Sequence, residues 1–146
     1  MIISIQVDIN LLSNLQKDYP WPKPDHCPNC NNPKLWGHGF VDALLDCEKF
    51  PVPLKRYRCP NCGCVIKLKP KGYFNRFRAT IDTIRKSITS LATSGKYISG
   101  IAYQRQYHWF TALIRHATAR YTLSPNLIQV FEKLIAGGKI PVCRTI

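Results

Sequence analysis

Two copies of one tetrapeptide, Cys27-Pro28-Asn29-Cys30 and Cys59-Pro60-Asn61-Cys62, carry the most specific chemistry in this chain. A Cys-x-x-Cys pair turns two thiolates toward one ion. Two such pairs complete a closed tetrahedral site for Zn²⁺, with no position left for a substrate. Pro28 and Pro60 stiffen the turns, and the residue after each second cysteine, Asn31 or Gly63, tolerates the positive φ that a metal knuckle requires. The expected ligands are therefore Cys27, Cys30, Cys59 and Cys62, holding Zn²⁺ as a structural cofactor; Cys64 or His26 is the alternative ligand. Cys47 and Cys143, like Cys64 if it is not a ligand, read as small hydrophobes or spare thiols. A redox role suits one isolated pair better than two pairs that each sit beside a strand.

Holding these knuckles together requires strands. The 28 residues from Asn31 to Arg58 are enough for a β-hairpin, which predicts a zinc ribbon over residues 19–72. Lys34–Val41 gives its first strand, with Gly37 and Gly39 as bends, and Pro51–Cys59 and Val65–Lys69 give the later ones. Upstream, residues 1–18 read as a short strand (Ile3, Ile5 and Val7 alternating with polar residues) and a short helix capped by Asp8 or Asn10. Tyr19–Pro24 is an extended linker, since three prolines in five residues forbid helix and ladder alike.

After Gly72 the apolar period changes. Phe74, Phe77, Ile81, Ile84, Ile88 and Leu91 predict a helix ending near Ser94-Gly95. Tyr103, Tyr107, Phe110, Ile114, Ala117 and Tyr121 predict a second, capped by Ser99. Ser124-Pro125 opens a third, which Gly137-Gly138 stops. The expected fold class is thus α+β: a small ribbon, hairpin or three-stranded, followed by an all-α three-helix domain of helix-turn-helix type over residues 73–138, with residues 139–146 as a tail.

Charge is the second large signal. The net charge is +13, and its distribution is lopsided: residues 1–54 sum to −2 and residues 55–146 to +15. Between Lys55 and Arg120 only Asp82 is acidic, against fourteen Lys or Arg. A one-signed field of this extent attracts polyanions and speeds encounter with them. Beside a zinc ribbon it points to nucleic acid.

Period-two alternation puts Arg56 and Arg58 on one face of a strand and Lys67 and Lys69 on one face of the next, so neighbouring strands can present all four as a ridge. Arg76, Arg78, Arg85 and Lys86 lie off the apolar stripe of the first helix and suit phosphates. Ser94-Gly95-Lys96-Tyr97 resembles a helix-turn-helix turn, which would make the next helix the groove reader through Gln104, Arg105, Gln106 and His108. The competing reading is the solvated face of a three-helix bundle. Trp109 reads as core.

Polynucleotide transfer needs two or three clustered carboxylates to hold metal ions, and the basic region offers only Asp82 and Glu132. Neither a P-loop nor a Gly-x-Ser-x-Gly or G-x-G-x-x-G motif is present. The chain therefore reads as having no catalytic activity and no small-molecule substrate. Met1–Leu12 lacks the basic start and unbroken apolar run of a signal peptide. No stretch approaches the roughly 18 apolar residues of a membrane span, so a cytoplasmic protein with no membrane partner is expected.

The order C-P-N-C, then Leu35-Trp36-Gly37-His38-Gly39, then Pro53-Leu54-Lys55-Arg56-Tyr57-Arg58-C-P-N-C-G resembles the N-terminal zinc ribbons of bacterial insertion-sequence transposases. It is similar also to small zinc-ribbon proteins encoded beside integrase-type transposases. The likeness spans residues 26–70, with a weaker one over residues 74–121. It implies binding of double-stranded DNA at element ends, with the cysteines as structural ligands and a separately encoded integrase-type transposase as partner. The chain lacks the catalytic domain of a full transposase, which points to an accessory or regulatory factor of transposition. An RNA-binding or ribosome-associated ribbon, with Tyr57, Tyr73 and Phe74 stacking on bases, is the first alternative; a protein-interaction adaptor is the second.

Overall fold

A computed structural model describes residues 1–121 and 126–144. The protein is α+β and divides into two compact units, Met1–Arg78 and Ala79–Ile146.

The first unit is built on a four-stranded sheet of β1 (Ile2–Ile5), β2 (Trp36–Ala43), β3 (Val52–Arg58) and β4 (Val65–Pro70), in the order β1-β4-β3-β2. β2, β3 and β4 run antiparallel, while β1 lies parallel to β4 along its outer edge. The sheet is therefore mixed and larger than a hairpin. The N-terminal segment completes it: the register Ile3↔Leu68 and Ile5↔Pro70 packs the alternating isoleucines onto the cluster of Leu35, Tyr57, Ile66 and Leu68. Met1 is tied down at both ends of its backbone, its amine donating to the Val65 carbonyl and its carbonyl accepting from the Lys67 amide.

Helix α1 (Ile9–Leu15) starts at Asp8, whose carboxylate accepts from the Leu11 amide at 3.2 Å. It buries Leu12 fully, in a cluster with Val7, Leu45, Val52 and Leu54. Tyr19 and Trp21 of the proline-rich linker stack edge to face and pack on that cluster.

The chain does not turn helical at Phe74. Gly72 and Arg76 both adopt positive φ, 92° and 67°, which breaks any helical run. Phe74 is buried with its ring against Phe77, and Tyr73 packs on the Val52–Leu54 cluster. The segment up to Arg78 thus belongs to the sheet's core. The apolar spacing that suggested helix arises from two aromatics serving a different unit.

The second unit holds three helices among the described residues: α2 (Ile81–Ser94), α3 (Tyr103–Arg120) and α4 (Leu127–Ala136). Thr80 caps α2 by accepting from the Thr83 amide, and Gly95, at φ 69°, ends it in the left-handed conformation that glycine favours. α4 is capped by Asn126, whose side-chain carbonyl takes the Ile128 and Gln129 amides; the Ser124-Pro125 start expected from sequence lies outside the described residues.

The face of α3 that turns inward is not the expected one. Gln106, Trp109, Ala112, Leu113, His116 and Ala117 are buried, whereas Tyr103, Tyr107 and Ile114 are exposed. Residues 95–102 link α2 to α3, a connection longer than a helix-turn-helix turn, and α3 starts at Ala102 with no side-chain cap, not at Ser99. The tail is packed rather than loose. Val142 is buried, and the His116 ring lies 3.2 Å from the Cys143 carbonyl.

Candidate metal centre and cationic face

Each Cys-Pro-Asn-Cys closes on itself by the same two backbone bonds. In the first, the Asn31 amide donates to the Cys27 carbonyl at 2.8 Å and the Cys27 amide to the Asn32 carbonyl at 2.8 Å. In the second, Gly63 donates to Cys59 and Cys59 to Cys64, both at 2.9 Å. Asn31 and Gly63 adopt φ 63° and 74°, as the knuckle turn demands. Because β2 follows the first knuckle, while β3 leads into the second and β4 leaves it, the sheet register brings the two together.

The four sulfurs of Cys27, Cys30, Cys59 and Cys62 lie within 4.8 Å of one another. Cys27 Sγ is 3.6 Å from Cys62 Sγ, and Cys30 Sγ is 3.5 Å from Cys59 Sγ. A tetrahedron with metal–sulfur bonds of about 2.3 Å has edges of about 3.8 Å, so these separations fit one tetrahedral ion. They are far too long for disulfides. Neither Cys64 nor His26 joins the group; the Cys64 thiol points to the Val65 carbonyl instead.

Second-layer donors tune the thiols. The Asn29 amide points at Cys27 Sγ at 3.4 Å, and the Asn61 side chain donates to Cys30 Sγ at 3.5 Å. The Asn29 side chain and the Cys64 amide bring the Cys62 thiol down to about 6. At Cys59 the Cys62 amide pulls the other way from burial and the neighbouring thiols, and the thiol ends up at about 11. The cluster thus has at least one thiolate ready at neutral pH, and Cys59 still holds a proton that a metal must displace.

The four strand cations do share one face. Arg56 stands opposite Lys67 in the β3–β4 ladder, and period-two alternation adds Arg58 and Lys69. They are not equivalent. Arg58 is exposed and Arg56 and Lys67 are half-buried, but Lys69 is only 6% exposed and donates to the Phe74 carbonyl at 2.6 Å. Burial and the charge of Lys67 lower the affinity of Lys69 for its proton. Lys69 is a structural tie. Arg56 Nε, by contrast, is buried without a hydrogen-bond partner. A β-bulge between Gly37 and Phe40 shapes the neighbouring strand; in it, Gly39 has φ 70°.

Arg76 and Arg78 are exposed, and with Lys67 and Lys69 they line a cavity of about 320 Å³ that also includes Asp42. Arg78 lies 3.8 Å from Asp46. Two of the aromatics expected to stack on bases, Tyr57 and Phe74, are buried, and Tyr73 packs on the core with its hydroxyl 3.6 Å from Cys47 Sγ. The exposed aromatic on this face is Trp36, directly opposite Arg58. From sequence it read only as part of the first strand, Lys34–Val41. Its strand position next to the knuckle was visible, but the cross-strand pairing that puts it on the cationic face was not.

In the second unit the candidate residues separate. Lys86, Gln104 and His108 are exposed. Arg85 bridges Asp82 and Glu132, reaching the latter at 2.6 Å, and so joins α2 to α4. Arg105 lies over the Trp109 ring at 5.3 Å, and Trp109 is core, as read from sequence. Gln106 is fully buried. Its Oε1 accepts from Ser87 Oγ and the Ile98 amide, and its Nε2 donates to the carbonyls of Ile98 and Ile101. That amide has nothing left for a base edge, and its expected groove-reading role is withdrawn.

Among the described residues no helix is long and apolar enough to cross a membrane. Comparison of the chain with protein-family models, with curated proteins and with solved structures gives no match.

Proposed function

We propose that this chain is a double-stranded DNA-binding protein, an accessory or regulatory factor in the transposition of a mobile element, without catalytic activity of its own. The observation that carries the reading is the set of Arg56, Arg58 and Lys67 on one sheet face, with strands anchored in the four-cysteine cluster. Four soft thiolates with tetrahedral spacing suit Zn²⁺, and a closed donor set serves structure rather than turnover. Zinc would lock the end of the β2–β3 pair at which Trp36 faces Arg58. The cations would then meet phosphates from a rigid surface, at little entropic cost. Other exposed candidate cations, Arg76 and Arg78 in the first unit and Lys86 in the second, add to the positive charge that draws a polyanion in.

The mobile-element assignment follows the resemblance of the Cys-Pro-Asn-Cys order and the Arg-Tyr-Arg-Cys strand to transposase ribbons. In this reading the protein works in the cytoplasm beside a separately encoded integrase-type transposase. The test is metal-dependent binding. Purified protein is expected to carry one zinc per chain and to shift a labelled duplex; chelation should abolish the shift and added zinc restore it. Duplex binding that survives complete metal removal would reject the mechanism. An integrase-type gene next to the coding sequence would support the biological assignment, and its absence across related loci would count against it.

A further inference from the structure

Trp36 is 62% exposed, although a tryptophan side chain carries more apolar area than any other. The other two tryptophans are placed differently, Trp21 half-buried against the core clusters and Trp109 buried within α3's inner face. Trp36 sits at the start of β2, an edge strand, directly opposite Arg58. From the ring the cations continue across the sheet through Arg58 and Arg56 to Lys67. None of the strand positions on this stretch of face (Ile2, Ser4, Val65 and the residues just named) is acidic, and Asp42 enters only at the cavity beside Lys67.

A planar aromatic at the head of a cationic track is the arrangement that binds single-stranded nucleic acid: the ring stacks on a base while the cations follow the backbone. Base faces inside a duplex are covered by their neighbours, so a paired strand can use the cations but not the ring. From Arg58 to the level of Lys67 the track covers about 7 Å along the strands, room for about two successive phosphates of an unpaired strand. Arg56, half-buried, places a guanidinium in the middle of that track. The proximity of Trp36 to the first knuckle and of Arg58 to the second means that the four-cysteine cluster sets their spacing.

We propose that Trp36 stacks on an unpaired base, and that Trp36, Arg58, Arg56 and Lys67 together form a site for single-stranded DNA. This rests on the reading that the cationic face grips DNA, and it adds an unpaired strand to the duplex as a ligand of that face. The test uses the full zinc-loaded chain and three fluorescent 12-nucleotide probes of one sequence: single-stranded DNA, the same DNA as a duplex, and single-stranded RNA. Single-stranded DNA should bind more tightly than the duplex and quench tryptophan fluorescence. Trp36→Ala should weaken single-strand binding by about 5- to 150-fold and remove most of the quench, while changing duplex binding by less than about twofold. Trp36→Phe should recover most of the affinity, which a merely structural role would not predict. Because Trp36 is exposed, zinc content and helicity of both variants should match the wild type, and a failure there directs the test to the wild-type fluorescence quench alone. Unchanged single-strand binding in Trp36→Ala, or no quench in the wild type, overturns the stacking site and leaves duplex binding by the cations standing. Failure of every probe to bind rejects both readings. Tenfold tighter binding to RNA overturns the assignment to DNA.

Discussion

Replacing Arg56, Arg58 and Lys67 together by alanine tests the cationic face most directly, because these are the ridge cations that the structure leaves exposed or half-buried. Each phosphate neutralised on duplex DNA contributes about 0.9 to the slope of log affinity against log salt, so three contribute about 2.7. Between 50 and 200 mM salt this amounts to a roughly 40-fold fall in affinity that the triple variant should no longer show. Lys69→Ala is the internal control. Its ammonium is spent on the Phe74 carbonyl, so its removal should leave the slope unchanged and instead cost about 1–3 kcal/mol of stability by orphaning a buried acceptor. The assay is fluorescence anisotropy with one duplex at four or more salt concentrations, with thermal melts of each variant beside it. An unchanged slope in the triple variant would refute the reasoning. So would a slope that falls by about one unit in Lys69→Ala, since that would mean the buried lysine reaches the ligand after all.

Cys59→Ser should lose the metal and unfold the first unit while the helical unit keeps its helicity; far-UV circular dichroism with metal analysis would detect both. Metal affinity should rise at least about tenfold per pH unit from pH 7 to 8. The sign follows from Cys59, pushed up to about 11: its proton must leave when the ion binds, so alkali favours binding and acid opposes it. A competition titration with a chromogenic chelator checks this, and a flat profile would disagree. Gln106→Ala should destabilise the helical unit by about 3 kcal/mol, because Ser87, Ile98 and Ile101 lose buried partners at once. The same variant should not alter the salt slope. Gly95→Ala, at φ 69°, should cost about 1 kcal/mol with no effect on binding.

The four-cysteine cluster was legible in the sequence because knuckle geometry is local. A Cys-x-x-Cys turn fixes its own two thiolates, and the types at positions 31 and 63 announce the backbone that closes it. The strands beside the knuckles and the shared face of Arg56, Arg58, Lys67 and Lys69 were legible for a related reason: alternation has period two whatever the strand packs against. So were the Asp8 cap and the C-terminal stop of α2 at Gly95, which depend on a few neighbouring residues.

What the tertiary structure alone decided is which of these groups are free. Nothing local distinguishes Lys69, turned onto a carbonyl five residues on, from Lys67, or reveals that Ile2–Ile5 closes the sheet's edge across more than sixty residues of chain. The inner face of α3 was hidden for the same reason. Gln106 and His116 look like surface residues, and only their partners from distant segments make burial tolerable, whereas Tyr103 and Tyr107 look like core and are not. Phe74 and Phe77 kept a helical spacing yet serve the other unit, since apolar area is buried wherever long-range packing offers a surface. Residue type and short spacing determine backbone turns and metal geometry. Which charges and rings remain exposed to meet a ligand depends on desolvation by residues far away in the chain.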